Sequence, residues 1–287
     1  MVSIVLFLNK FGIRCLVKNV VAILRIMRER LVNSLSTVYY LIGSFLINTI
    51  FLVVWEYYSK NSNQFRFLFS SPTLIYTAFL EETLSGNIIN DFSQTAFEIS
   101  LSFIIGFIIG FLLSIILNYI KLFKIILTPY LFILNIIPIF ILAPIVIVWF
   151  GVGTRMRVFI GFIGVFLYIV NTISRSFSKL NSKHMAILNS ISSNHFKIFN
   201  IYILPTILDD LINSMKGSIR LSVVGIIIGE FIASQNGLGR FILKASYFFN
   251  MTQILVGVIY IIILCFTFEI LIYFLQINKK TILSWFI

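Results

Sequence analysis

NSKHMAILNSISSNHFKIFNIYILP, residues 181–205, is the only long polar interruption in the hydrophobic second half of the chain. Irregular backbone cannot lie in hydrocarbon, because its unpaired N–H and C=O groups would each be costly. The stretch must therefore lie in water, on one side of a membrane, with an apolar segment leading away from each end. Its apolar residues recur at helical spacing on both sides of Ser192, which predicts two short amphipathic helices joined by a turn.

The composition of the chain indicates a membrane protein. Of its 287 residues 59% are hydrophobic and 11% are charged, whereas a soluble domain has about 25% charged residues. Apolar runs of about 20 residues, enough to cross about 30 Å of hydrocarbon as a helix, fall at residues 38–55, 96–118, 125–149, 157–174, 206–233 and 252–275. The alternation typical of β-barrel strands is not sustained. We therefore predict an all-α, polytopic fold with about six transmembrane helices.

The basic residues are distributed unevenly between the two sides of such a protein. With both termini in the cytoplasm, the Lys and Arg residues on the inner side are Lys10, Arg14, Lys18, Arg25, Arg28, Arg30, Lys121, Lys124, Arg175, Lys179, Lys183, Lys197, Lys279 and Lys280. Those on the outer side are only Lys60, Arg66, Arg155, Arg157, Arg240 and Lys244. This is the positive-inside rule, and it predicts a cytoplasmic 181–205 loop. The net charge of +12 is thereby explained without a nucleic-acid partner.

The chain is predicted to have two parts. Residues 1–36 form a cytoplasmic segment, whose basic residues between 10 and 28 share one face of a helix that would lie on anionic membrane lipid. Residues 37–287 form the transmembrane domain.

Small residues recur at every fourth position in the second apolar run. They are Ser102, Gly106, Gly110 and Ser114, and such a stripe lets another helix approach closely in lipid. The third run contains Pro129, Pro138 and Pro144, each of which removes a backbone donor and can kink a helix. We expect helix packing along the stripe and kinks along the third span.

Charged residues occur inside the fifth apolar run. Asp209, Lys216, Arg220 and Glu230 fall within about 80° of one another on a helix. Charges at this depth are costly and usually face a bundle interior or a wet cavity. Lys216, Arg220 and Glu230 are therefore candidates for the lining of a translocation path. The alternative is an internal ion-pair network that only fixes packing.

Three separated motifs carry a resemblance to a known family. They are PIFILAPIVIVWFGVG at 138–153, the polar loop ending in Leu204-Pro205, and GEFIASQNGLG at 229–239. In this order they resemble permease subunits of ATP-driven, binding-protein-dependent (ABC) importers, most closely the nitrate/sulfonate/taurine branch. The resemblance covers roughly residues 71–285 and implies a bundle of the type I importer class.

The resemblance implies that the 181–205 loop is a coupling helix that seats in a groove of the ATPase subunit. The family pattern has Glu-Ala-Ala where this chain has Ala186 to Leu188, and Gly where it has Ser192, while Leu204 and Pro205 match. The coupling residues expected here are Lys183, Met185, Ala186, Leu188, Ser192, Phe196, Leu204 and Pro205. The implied partners are an ABC ATPase dimer, a second permease subunit, most simply a second copy of this chain, and an external substrate-binding protein.

The resemblance also implies that the chain performs no chemistry itself. The sequence lacks the GxxxxGK[ST] phosphate loop, so ATP hydrolysis is expected in a separate chain, and we expect no catalytic residue, metal or cofactor here. Two alternatives remain at this stage: an ATPase-independent secondary transporter that titrates Glu230, and an integral membrane enzyme that uses Glu230, Lys216 and Arg220. Lys216 and Arg220 in the path would favour an anionic solute such as nitrate or a sulfonate.

Overall fold

A computed structural model describes residues 39–40, 42–180 and 198–278. The basic segment predicted at residues 1–36 lies outside this range. By its internal contacts the chain divides into two compact units, residues 1–66 and 67–287. The first contains helix α1 (Ile42–Asn61), and α2 (Asn63–Phe69) crosses the boundary.

Helices form the second unit, and the described residues contain no strand. In chain order they are α3 (Pro72–Ser85), α4 (Asn87–Tyr119), α5 (Lys121–Ile136), a 3-10 turn (Ile139–Leu142), α6 (Ala143–Phe150) and α7 (Thr154–Ser178). A π-helical turn (Phe199–Ile203), α8 (Leu204–Ala233), α9 (Leu238–Tyr247) and α10 (Met251–Ile277) follow.

Local sequence signals explain several helix ends. Ser71 caps α3 by accepting a hydrogen bond from the Leu74 N–H, and Pro72 follows at the first helical position. Gly86 ends α3 with φ 74°, a left-handed conformation that glycine adopts without steric cost. Asn250 caps α10 through the Gln253 N–H.

The described helices match the number of spans predicted from hydropathy. Five of them, at Ile42–Asn61, Asn87–Tyr119, Thr154–Ser178, Phe199–Ala233 and Met251–Ile277, are long and apolar enough to cross a membrane. The bent pair Lys121–Ile136 and Ile139–Phe150 makes a sixth when it is counted as one span. The all-α polytopic fold is therefore confirmed.

The third predicted span, residues 125–149, departs from a simply kinked helix. It is broken, with an angle of 99° between its two halves. Pro129 lies within α5, but Ile137, which precedes Pro138, adopts extended backbone and ends that helix. Steric contact with the proline ring disfavours helical backbone for the preceding residue, which explains why the break occurs here.

Helix α7 is the centre of the second unit, packed mainly against α4 on one side and α8 on the other. Its buried residues Val165, Ile169 and Ile173 form a cluster with Ile203 and Ile207 of the next span. In contrast, α5 has no buried residue. Two ends of this bundle are named below: the Ser178 end, where α7 stops and α8 begins, and the Gly237 end, where α8 stops and α9 begins.

Candidate translocation and coupling sites

The small-residue stripe of α4 lies against α7. Ser102, Gly106, Gly110 and Ser114 are all buried. A Cβ atom added to Gly106 would lie 2.7 Å from the Cβ of Val165, and one added to Gly110 would lie 3.0 Å from the Cβ of Ile169. The two backbones therefore approach more closely than larger side chains would allow.

Helices α7 and α8 approach one another just as closely. A Cβ on Gly225 of α8 would lie 2.7 Å from the Cα of Gly161 in α7. Nearby, the hydroxyls of Ser102 and Ser222 are 2.5 Å apart, and the Ser222 hydroxyl donates to the carbonyl of Ile99. Small residues thus bring three helices together, and serine hydroxyls tie α8 to α4.

Lys216 and Arg220 lie on the face of α8 that meets α10. The Lys216 ammonium donates to Oε1 of Gln276 at 2.7 Å and lies 5.9 Å from the ring centre of Tyr273. Arg220 forms an ion pair with Glu269 at 2.9 Å. The Arg220 side chain remains 67% exposed, so this face is open as well as polar. We call these contacts the α8–α10 ladder.

Glu230 lies elsewhere, fully buried at the Gly237 end. Its Oε1 accepts a 2.7 Å hydrogen bond from the Thr95 hydroxyl, and its Oε2 accepts one of 2.6 Å from the Gly239 N–H. Thr95 in turn accepts from the Leu238 N–H, and Asp91 accepts from the Gly237 N–H. Side chains of α4 and α8 therefore hold the first amides of α9.

The continuous polar stripe expected on α8 is therefore divided in two. Lys216 and Arg220 face α10, whereas Glu230 faces α4 and the start of α9. The helical angle placed all three on one broad side of α8, but three different helices pack against that side. Glu230 is enclosed by the Gly237 turn and is not brought together with Lys216 and Arg220.

Sequence reasoning missed a buried ion pair beside Glu230. The Arg157 guanidinium of α7 donates through Nε to Oε2 of Glu98 at 2.8 Å and through a terminal nitrogen to Oε1. The side chains are 4% and 0% exposed. Gln94 also donates to Glu98, and Arg157 donates to the Ala233 carbonyl at the end of α8. The signal available in the sequence was the spacing of polar residues at 91, 94, 95 and 98, one helical face.

The residues expected to couple to an ATPase fall mainly outside the described part of the chain. This applies to Lys183, Met185, Ala186, Leu188, Ser192 and Phe196. Leu204 and Pro205 are described and begin α8. Leu204 is buried, and Ile198 before it belongs to the α7–α8 core cluster. The loop therefore joins α8 through buried apolar side chains at the Ser178 end.

Comparison with known proteins shows the family of the chain. The family described as "Binding-protein-dependent transport system inner membrane component" matches this chain over residues 102–278, from within α4 to the end of α10. The chain belongs to this family. It is accordingly a multi-pass membrane protein and a transport component, not an enzyme, and neither a membrane enzyme nor a secondary transporter is favoured.

Individual relatives of this transport component are distant and match between half and most of the chain. A putative aliphatic sulfonates transport permease protein of Bacillus subtilis is 20% identical, over 84% of this chain and 86% of the relative. The riboflavin transport system permease protein of Chloroflexus aurantiacus is 28% identical, over 77% and 82%. The taurine transport system permease protein of Escherichia coli is 20% identical, over 50% and 53%.

A solved structure supports the fold of the permease independently. It is the MetNI methionine ABC transporter in an inward-facing conformation, with a TM-score of 0.58 and 18% identity. The match covers 72% of this chain and 99% of the solved chain. The bundle therefore has the fold of a type I ABC importer permease, as the sequence motifs predicted.

Proposed function

We propose that this chain forms the membrane path of an ATP-driven importer for a small, sulfonate-like anion. The observation that carries the proposal is the family match, which runs from within α4 to the end of α10 and includes the loop between α7 and α8. Relatives named for aliphatic sulfonates and taurine support the substrate class. An external binding protein delivers the solute, and two copies of the permease enclose the path.

The 181–205 loop is the proposed contact with the ATPase dimer. Closure of the ATPase dimer on ATP would move the loop, and the motion would reach α8 through Leu204 and Pro205. These residues begin a helix of 30 residues and Leu204 is buried, so displacement of the loop would be transmitted along α8 to the Gly237 end. Alternating access follows when both permease copies move together.

The proposed orientation places both termini and the Ser178 end in the cytoplasm. The excess of Lys and Arg on that side supports it. In this arrangement residues 1–36 lie along the inner leaflet, residues 37–287 form the permease domain, and the Gly237 end faces the binding protein.

The coupling proposal is tested by affinity purification of the tagged chain from its native membrane in mild detergent, followed by mass spectrometry. We expect a nucleotide-binding subunit to be recovered, and to be lost when residues 185–199 are scrambled while expression is unchanged. A matched control scrambles residues 59–66, which lie outside the proposed contact. Failure to recover an ATPase, under conditions that preserve a known importer, would contradict the proposal.

The proposed path runs along the α8–α10 ladder. Its two cations and the single Glu269 carboxylate leave a net positive charge of one, which would attract an anion. Glu230 is assigned a different role, since its carboxylate already accepts from Thr95 and Gly239. It would fix the Gly237 turn at the outer end of the path.

Neutralising the ladder tests the anion assignment. Lys216→Gln should lower the initial rate of ethanesulfonate uptake about fivefold, since a unit charge about 4 Å from an anion contributes about 1 kcal/mol in a watery environment. Lys60→Gln, on exposed α1, should leave the rate unchanged. Equal uptake by Lys216→Gln and the unmodified chain would contradict the anion assignment. So would equal transport of ethanesulfonate and a neutral solute of similar size.

A further inference from the structure

A cavity of about 540 Å³ lies between α4, α5 and α7 toward the Ser178 end, apart from the α8–α10 ladder. Polar residues from one face of each helix line it. On α5 they are spaced by four and seven residues, at Lys124, Thr128 and Asn135, so they stack along that helix. The cavity therefore extends from the first turn of α5 toward its far end, roughly 16 Å at 1.5 Å per residue.

Most polar groups in the cavity wall are already hydrogen bonded. The Ser114 hydroxyl donates to the Gly110 carbonyl, and the Thr128 hydroxyl donates to the Lys124 carbonyl. At the far end the Asn171 amide donates to Oδ1 of Asn135 at 2.7 Å. These groups shape the wall and close its far end, and their donors are largely committed.

Three donor groups in the wall are left uncommitted within the described residues. The ammonium of Lys124, the guanidinium of Arg175 and the side-chain amide of Asn118 are exposed and form no ion pair or hydrogen bond in the described part of the chain. The Ser174 hydroxyl also has no partner there, but it is sealed from solvent and so does not reach a ligand in the cavity.

The charge of the lining selects the ligand class. Among the described residues the wall contains two cations and no Asp or Glu. A lining of this kind disfavours cations and attracts negative charge. Two cationic donors and an amide together suit the several oxygen atoms of a tetrahedral oxyanion.

We infer that the cavity between α4, α5 and α7 is an oxyanion-binding site, with Lys124 and Arg175 providing the charge and Asn118 a neutral hydrogen bond. The oxyanion is a sulfonate or a phosphate ester. It comes from a soluble anion entering at the Ser178 end or from the headgroup of an anionic phospholipid. This site is separate from the proposed path and requires no ATPase, so it stands or falls independently of the importer assignment.

The test uses the full-length chain in dodecyl maltoside, a detergent without phosphate or sulfonate. Isothermal titration with ethanesulfonate measures the soluble source, and titration with dihexanoyl phosphatidylglycerol measures the lipid source. Glycerol is the neutral reference. We expect at least one of the two anions to bind with one site per chain and to bind more weakly as salt rises.

Variants separate the cavity from general surface charge. Lys124→Gln should weaken the binding about tenfold, as expected for loss of a charge-assisted hydrogen bond, and Asn118→Ala about fivefold for loss of a neutral one. Lys121→Gln is the matched control, because Lys121 is exposed in the same helical turn and does not line the cavity. It should bind like the unmodified chain.

Binding of either anion supports the site, and the anion that binds more tightly shows whether the ligand is a soluble anion or a lipid headgroup. Binding of neither anion above glycerol would overturn the inference. So would equal weakening by Lys121→Gln and Lys124→Gln, because the effect would then come from the basic surface and not from the cavity.

Discussion

Two ion pairs of this permease differ in how far they are exposed to solvent. Arg157 and Glu98 are almost fully enclosed and satisfy one another with two hydrogen bonds. Arg220 and Glu269 form a similar pair but remain open, with exposed fractions of 67% and 39%. Removing charge from the enclosed pair leaves an uncompensated buried charge, whereas the open pair is screened by solvent. The first pair should therefore matter for stability and the second for what passes along the ladder.

Arg157→Met should be strongly destabilising. It leaves the Glu98 carboxylate buried without a cation, which costs about 3–5 kcal/mol. The measurement is chemical unfolding in detergent, followed by the fluorescence of the three tryptophans. Arg155→Met is the control, since Arg155 is exposed two residues away, and its unfolding should be unchanged within about 0.5 kcal/mol.

The double variant Glu98→Leu with Arg157→Met provides a further check. Removing both charges should restore much of the lost stability, because an apolar pair can replace a buried ion pair at little net cost. Arg157 also donates to the Thr154 hydroxyl oxygen. A double variant as unstable as Arg157→Met alone would show that Arg157 acts through its hydrogen bonds to Ala233 and Thr154 instead.

At the scale of helices, close packing of α4, α7 and α8 follows from small residues at matching heights. The sequence predicted the face of α4 that carries them, because a small residue every fourth position marks one side of a helix. It did not predict which helix lies opposite. Val165 and Ile169, which face Gly106 and Gly110, sit among many similar apolar residues of α7, and nothing in their spacing names a partner.

Gly106→Val tests this packing. The added side chain would meet Val165 and should force α4 and α7 apart, costing about 1–3 kcal/mol through overpacking. The melting temperature in detergent should fall by several degrees. Gly43→Val is the matched control, because Gly43 is also helical and has no atom within 4 Å of an added Cβ. Equal melting temperatures for Gly106→Val and the unmodified chain would contradict the close contact.

The partners of Glu230 show why the hydrogen-bonded cluster at the Gly237 end could not be predicted. Helical periodicity places Glu230 and Lys216 at similar angles around the axis of α8, and this angular position is correct. The hydrogen bonds of its carboxylate come from Thr95, 135 positions away in the chain, and from an amide beyond a turn. Periodicity describes one helix at a time, so contacts of this range require the three-dimensional structure. The 99° break at Pro138 was likewise predicted only as a kink, because the local rule gives the position and not the angle.

For the whole molecule, hydropathy and motif order predicted the class, the number of spans and the family, since each depends on chain-wide composition or on short local patterns. The path and the coupling contact depend on a second permease copy and on other subunits, so one sequence could indicate only candidate residues for them. The central claim is that two permease copies, the ATPase dimer and the binding protein together form an importer driven by ATP.

The most direct test of that claim is uptake of labelled ethanesulfonate into proteoliposomes. Their membrane contains this permease and its co-purified ATPase, and the binding protein is added outside. We predict uptake that requires ATP inside the vesicles, requires the binding protein, and is unaffected by a proton ionophore. Uptake that proceeds without ATP and collapses when the ionophore is added would contradict the account.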